Sequence, residues 1–108
     1  MYLNGGELNG IRLLSRTTIQ FMLSNQTGNL FAEPGAFYSL AFSVINQEGQ
    51  NMGGKGSVGT FGWGGYFNTQ YFVDPKEKTI GIIMKQTQET TDDTAWKFYQ
   101  LVGQAIDD

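Results

Sequence analysis

Alternating apolar and polar positions predict a series of short β-strands in the middle of this chain. Strands are expected at about 37–45, 57–63, 69–73 and 79–86. The segment 74–78 has the composition of a hairpin turn between the last two strands. Residues 80–84 are apolar apart from Gly81, which predicts a strand that is covered on both faces.

Helical spacing of apolar residues predicts a short helix before these strands and a longer one after them. Ser15 is a suitable N-cap for the first helix, at about 16–24. Asp92 and Asp93 favour the start of the last helix, because acidic groups stabilise the positive end of the helix dipole. Its expected buried face comprises Phe98, Tyr99, Leu101, Val102, Ala105 and Ile106, and its expected wet face comprises Lys97, Gln100, Gln104 and Asp107.

The order of these elements predicts an α+β fold. It is a helix, then an antiparallel sheet of three to four strands, then a helix, in one domain over residues 1–108. The segment 46–56 is rich in Gly, Asn and Gln and is expected to be a loop.

The net charge and the apolar runs of the sequence limit the kinds of partner that the chain is expected to bind. With 108 residues, a formal net charge of −3 and scattered basic residues, the chain is not expected to bind nucleic acid or an anionic membrane. No apolar run approaches the roughly 20 residues of a membrane span.

Cysteine and histidine are absent from the sequence. Their absence excludes disulfides, thiol nucleophiles, Cys/His zinc sites and a self-contained Ser-His-Asp triad. We therefore expect no metal site and no cofactor.

The stretch 59–75 contains the candidate functional site. It holds six aromatic residues and four glycines within seventeen positions. Glycine lets a backbone approach another group closely and aromatic rings form walls, so the stretch is typical of the rim of a binding cleft. The candidate site comprises Trp63, Gly64, Gly65 and Tyr66, whose backbone N–H groups are suited to form half of an oxyanion hole. The alternative is a twisted strand in which the glycines permit a bulge beneath a packed tryptophan.

Other motifs have simpler interpretations. Gly54, Gly56 and Gly59 match a nucleotide-binding glycine pattern, but a polar loop precedes them and a strand follows, which is the wrong context. Lys55 and Ser57 lack the helical spacing of a Ser-x-x-Lys pair and are expected to be solvated loop residues. For Asp74 and Glu77, a role in the turn is favoured over acid–base catalysis.

Several segments, in order along nearly the whole chain, resemble the C-terminal part of the β-lactamase-related serine hydrolases. They are LNGGELNGIRLLS at 3–15, FGWGG at 61–65, YFVDP at 71–75 and IGIIM at 80–84. This family includes class C β-lactamases, penicillin-binding DD-peptidases and related esterases. The resemblance implies a partial β-lactamase-like fold.

The same resemblance assigns roles within the candidate site. Trp63-Gly64-Gly65 is similar to the third active-site motif of the family, which is usually Lys-Thr-Gly or His-x-Gly. By this likeness Tyr66 offers its backbone N–H to the oxyanion hole and Trp63 lines the acyl pocket. The tryptophan replaces a cation that engages a substrate carboxylate, so the resemblance favours neutral esters or amides over β-lactams.

The nucleophilic machinery of the family has no counterpart in this sequence. No serine has a lysine three residues later, at any of positions 15, 24, 39, 43 and 57. We therefore expect a C-terminal fragment or truncated homologue with no catalytic residue of its own, inactive alone and acting on esters, amides or β-lactams only within a complete enzyme. The alternative is an interaction or ligand-binding module, which self-associates or pairs with the missing N-terminal region through a sheet edge, or binds ligands at the aromatic strand. The family occurs in periplasmic, secreted and cytoplasmic forms, so the resemblance assigns no compartment.

Overall fold

A computed structural model describes residues 1–88 and 91–106 and shows an α+β fold. The helical elements are a 3-10 turn at Tyr2–Asn4, α1 at Arg16–Leu23, α2 at Gln47–Met52 and α3 at Thr94–Gln104. The strands are β1 (Glu7–Leu8), β2 (Ile11–Arg12), β3 (Ala36–Tyr38), β4 (Ser43–Ile45), β5 (Phe61–Gly64), β6 (Gln70–Asp74) and β7 (Thr79–Ile83). β1 and β2 form a small separate hairpin.

The main sheet has five antiparallel strands in the order β3-β4-β5-β6-β7, more than the three to four predicted. The difference arises because the predicted strand at 37–45 contains a turn. The Ser39 N–H donates to the Phe42 carbonyl oxygen at 2.8 Å, and the Phe42 N–H donates to Ser39 Oγ at 3.2 Å. Ser39 therefore folds one apolar run into the hairpin of β3 and β4.

The predicted loop at 46–56 contains the short helix α2. The Asn46 side chain caps it by accepting the Gly49 N–H at 3.0 Å. Gly49 packs directly on Gly35, where a Cβ on Gly49 would lie 2.1 Å from the Gly35 carbonyl oxygen. The residues of α2 have low helix propensity, and the contact with Gly35 helps to stabilise the helix. The sequence therefore has the composition of a loop although the segment is helical.

One face of the sheet carries the main hydrophobic core. Val44, Phe61 and Val73 are neighbours across β4, β5 and β6, and with Phe42 they form a buried cluster. The N-terminal segment covers this cluster, with the ring of Tyr2 5.1 Å from that of Phe42. The N-terminal segment thus covers one face of the sheet.

The last helix covers the other face. The rings of Phe98 and Tyr99 lie 6.1 and 4.4 Å from that of Phe72, and the Tyr99 hydroxyl donates to the Tyr71 carbonyl oxygen at 3.3 Å. The predicted buried face is wrong at Leu101, which is 63% exposed. Leu101 falls outside the i, i+3, i+4, i+7 spacing of the residues that face the sheet: Ala95, Phe98, Tyr99 and Val102. Ala105 is also exposed, and Asp107 lies outside the described residues.

β7 forms one edge of the sheet and is covered on one face only. Gly81 is buried beneath α3, whereas Ile80, Ile82 and Met84 on the opposite face are 56%, 63% and 83% exposed. The prediction that 80–84 is covered on both faces is therefore wrong, because α3 covers a single face of the sheet. The exposed apolar residues Ile80, Ile82 and Met84 are called the β7 face below.

Among residues 1–88 and 91–106, no helix has both the length and the apolar character needed to cross a bilayer.

Candidate functional site

β5 separates its aromatic residues from its glycines. Successive side chains of a strand point to opposite faces, so Phe61 and Trp63 share one face and Gly62 and Gly64 share the other. The cross-strand partner of Gly62 is Phe72, which lies under α3. The alternation of glycine and aromatic residues thus creates two different surfaces on one strand.

Trp63 lies where β5 has an open edge. β4 pairs with β5 only through Val44 opposite Phe61 and Ser43 opposite Gly62. Beyond these pairs, β5 is bonded on its β6 side alone. Trp63 is 49% exposed, and the ring of Tyr38 meets its ring edge-on at 5.5 Å.

The turn after β5 fixes the position of Gly65. The Gly65 N–H donates to the Thr69 carbonyl oxygen at 2.7 Å, and the Asn68 N–H donates back to the Gly65 carbonyl oxygen at 3.0 Å. A Cβ on Gly65 would lie 2.2 Å from Thr69 Oγ1. A side chain at this position would therefore force the Thr69 hydroxyl to move.

Tyr66 presents a free backbone donor at this edge. Its N–H has no acceptor in the described part of the chain, and the residue is 73% exposed. Its hydroxyl accepts a hydrogen bond from Gln88, and its ring packs on Phe67 with centroids 5.1 Å apart. The Tyr66 side chain is thus held by two contacts while its N–H has no acceptor among the described residues, and all four predicted site residues are exposed and lie together at the end of β5.

A cavity of about 500 Å³ lies against the glycine face of β5. It is bounded by β3, β4, β5 and α3, and we refer to it as the α3 cavity. Its lining side chains include Glu33, Tyr38, Ser43, Lys55, Gln70, Phe72, Trp96 and Tyr99. The sequence analysis did not identify this cavity. Of the two β5 glycines, only Gly64 adjoins open space, because a Cβ on Gly62 would lie 2.2 Å from the Tyr71 carbonyl oxygen.

The loop before β5 is more ordered than expected. Lys55 is half-buried, with its amine 5.9 Å from the centre of the Trp96 ring. Ser57 is buried, and its N–H donates to Asp74 Oδ2 at 2.9 Å. The prediction that Lys55 and Ser57 are solvated is therefore wrong, because α3 and Asp74 hold this loop against the sheet.

Asp74 has the predicted role in the turn. It is 3% exposed, and besides Ser57 it accepts the N–H groups of Lys76 at 3.0 Å and Glu77 at 3.2 Å. Burial acts to raise the pKa of Asp74, but the hydrogen bonds from Ser57 and Glu77 outweigh it, and the pKa is lowered from its ordinary value. The nearby Thr60 hydroxyl also favours the ionised form but makes no hydrogen bond of normal geometry. Asp74 is thus an ionised structural anchor.

The described residues contain no assembled nucleophile. In 1–88 and 91–106 no lysine amine hydrogen-bonds a serine hydroxyl, and no group of acidic residues could hold a metal ion. At the open edge, a substrate could therefore accept hydrogen bonds from backbone N–H groups and pack against the exposed indole ring of Trp63.

Comparison with the models of known protein families and with curated proteins finds no match for this chain.

Proposed function

We propose that this chain is the C-terminal part of a β-lactamase-related serine hydrolase and supplies one wall of an acyl-transfer site. The main support is the open edge of β5, followed by the exposed Tyr66, whose N–H has no acceptor among the described residues. A donor of this kind stabilises the oxyanion that develops when a nucleophile attacks a carbonyl carbon. The ordered sequence motifs give the same assignment independently of the geometry.

In this proposal the residues of the edge have separate roles. Tyr66 donates its N–H to the oxyanion, and Gly65 sets the position of that donor through its bonds to the 65–69 turn. Trp63 forms the wall of the acyl pocket, with about half of its surface exposed. The attacking serine and its base belong to sequence outside residues 1–108.

The substrate class follows from the charge at the edge. Trp63 occupies the position at which the β-lactamases and DD-peptidases carry a cation, and an indole ring does not pair with a carboxylate. We therefore propose neutral esters or amides as substrates of the complete enzyme, in preference to β-lactams.

The reading frame that encodes this chain provides the test. We expect DNA upstream of Met1 to encode a Ser-x-x-Lys helix in frame, and the full product to hydrolyse p-nitrophenyl acetate. In that protein Tyr66→Pro should lower kcat by about 10²–10³, because it removes one oxyanion donor. Proline breaks no internal hydrogen bond here, since the Tyr66 N–H has no acceptor among the described residues.

The matched control is Tyr66→Ala, which keeps the N–H and should retain most of kcat. Equal loss in both variants would show that the side chain matters and would refute the assigned role. Residues 1–108 alone should show no hydrolysis above the buffer rate. Turnover that survives repurification and scales with protein concentration would contradict the assignment.

The β7 face supports a second candidate function, an interaction module. Its apolar residues lie on an edge strand, whose outer N–H and C=O groups have no neighbouring strand in the described sheet. Such an edge is a template for pairing with another chain. In this function the chain associates with itself or with a polypeptide that supplies further strands.

A further inference from the structure

We propose that the α3 cavity binds a neutral polyhydroxylated ring, such as a sugar. Trp63 also lines the cavity and its ring contacts Tyr38, so the cavity adjoins the open edge of β5. The binding experiment below uses residues 1–108 alone and measures no hydrolysis, so its failure is distinguishable from failure of the proposed acyl-transfer function. The cavity volume of about 500 Å³ is in the range of small-molecule sites.

Glycines form the floor of the cavity and aromatic rings form its walls. Gly62 and Gly64 leave the surface of β5 without side chains on this face. Tyr38 stands on the β3 side, and Trp96 and Tyr99 stand on α3. Flat aromatic faces are suited to pack on the C–H faces of a saturated ring.

The polar groups of the lining are available to a ligand. The side chains of Glu33, Ser43 and Gln70 make no hydrogen bond or ion pair in the described part of the chain, and Lys55 contacts only the Trp96 ring. Thr60 also lines the cavity, but its buried hydroxyl lies beside the Asp74 carboxylate and is not counted among these groups.

The charges of the lining define the ligand class. Glu33 and Lys55 are its two charged side chains, and their charges cancel. An anion would be repelled by Glu33 and a cation by Lys55, whereas a sugar hydroxyl can donate to the carboxylate and accept from the ammonium group. A neutral ligand with many hydroxyls therefore satisfies the lining best.

Nuclear magnetic resonance on the 15N-labelled chain tests this proposal, with cellobiose as the probe. The two tryptophans give two indole N–H signals. We expect the Trp96 signal to shift saturably, with a Kd of about 1–10 mM, since few groups make the contact. The zwitterion glycylglycine serves as the competing probe and should produce a weaker shift.

Gly64→Val provides the decisive variant, because its side chain would fill the floor. The Gly64 φ is not positive, and the nearest heavy atom to an added Cβ is 3.8 Å away, so the backbone accepts the change. We expect at least tenfold weaker cellobiose binding, and a severalfold loss in Gln70→Leu, which removes one polar partner.

Ile80→Val, on the opposite face of the sheet, is the control and should bind as the parent does. The absence of a saturable Trp96 shift would overturn the proposal. So would tighter binding of glycylglycine than of cellobiose, or unchanged cellobiose binding in a folded Gly64→Val protein.

Discussion

The Asp74 side chain joins the loop before β5 to the β6–β7 turn. Its two carboxylate oxygens accept three backbone N–H groups, from Ser57, Lys76 and Glu77. Asp74→Asn replaces one of these oxygens with an NH₂ group that cannot accept, so at least one buried donor loses its partner. We expect the free energy of unfolding to fall by about 2 kcal/mol, measured by urea unfolding at neutral pH.

The pH dependence of this contribution follows from the lowered pKa of Asp74. The ionised carboxylate stabilises the fold above the ordinary aspartate pKa, and the contribution is lost as pH falls through the lower pKa of the folded state. The difference in stability between the parent and Asp74→Asn should therefore shrink as the pH falls below the ordinary aspartate pKa. Glu77→Gln, which keeps the Glu77 N–H, is the control and should have little effect. A difference that stays constant with pH would contradict the role of the ionised carboxylate.

Within the elements, two glycines on the α3 face of the sheet are expected to differ sharply in their tolerance of a methyl group. A Cβ on Gly81 would lie 2.1 Å from the ring of Phe72, which is 5% exposed and packed under α3. Gly81→Ala should therefore cost about 1–3 kcal/mol by overpacking. Gly64→Ala has its nearest contact at 3.8 Å and should stay within about 1 kcal/mol of the parent. Neither glycine has a positive φ, so thermal unfolding of the pair isolates packing from backbone strain.

A double-mutant cycle identifies the clash. Phe72→Leu gives the alanine at 81 more room, so the two substitutions together should cost less than the sum of their separate effects. Additive costs would mean that the Phe72 ring is not what Gly81 accommodates.

The strands and helices also differ in how well sequence reasoning predicts them. α1 begins after Ser15, whose Oγ accepts the Thr18 N–H at 3.0 Å, so a local cap was enough to predict it. β6 and β7 were predicted from local pattern: β7 lies within the expected range, and β6 is shifted by one residue so that it ends at Asp74. The helix α2 and the turn at Ser39 were missed, because each is stabilised by contacts that an apolar pattern does not record.

The candidate site was predictable to a similar extent. The grouping of Trp63, Gly64, Gly65 and Tyr66 follows from their adjacency, and the alternation of β5 follows from the period of a strand. The α3 cavity was not predictable in the same way. It requires α3 to bring Trp96 and Tyr99 to the same cavity as Gly62 and Gly64, and the packing of α3 on Phe72 sets this placement.

At the scale of the whole molecule, the β7 face predicts association of residues 1–108. Contiguous apolar surface at an unpaired edge is uncommon in monomers. We expect light scattering to show an apparent mass that rises with protein concentration. Ile82→Lys should reduce this association, because a charge on an edge strand opposes pairing.

Gln20→Lys on α1 adds the same charge at an exposed position and is the matched control. It should associate as the parent does. A strictly monomeric parent at high concentration would exclude the interaction module, as would equal association of the parent and Ile82→Lys.

The hydrogen-bonded turn from Gly65 to Thr69 has a consequence for both surfaces of β5. It sets the register in which Trp63 opposes Tyr71 and Gly64 opposes Gln70. A slip of one residue would exchange the two faces of β5, so that its aromatic residues would replace the glycines on the α3 side and a glycine would replace Trp63 at the proposed acyl wall. The length of this turn therefore determines the residues on both faces of β5. A single insertion or deletion in the turn would alter the open edge at Trp63 and the floor of the α3 cavity together.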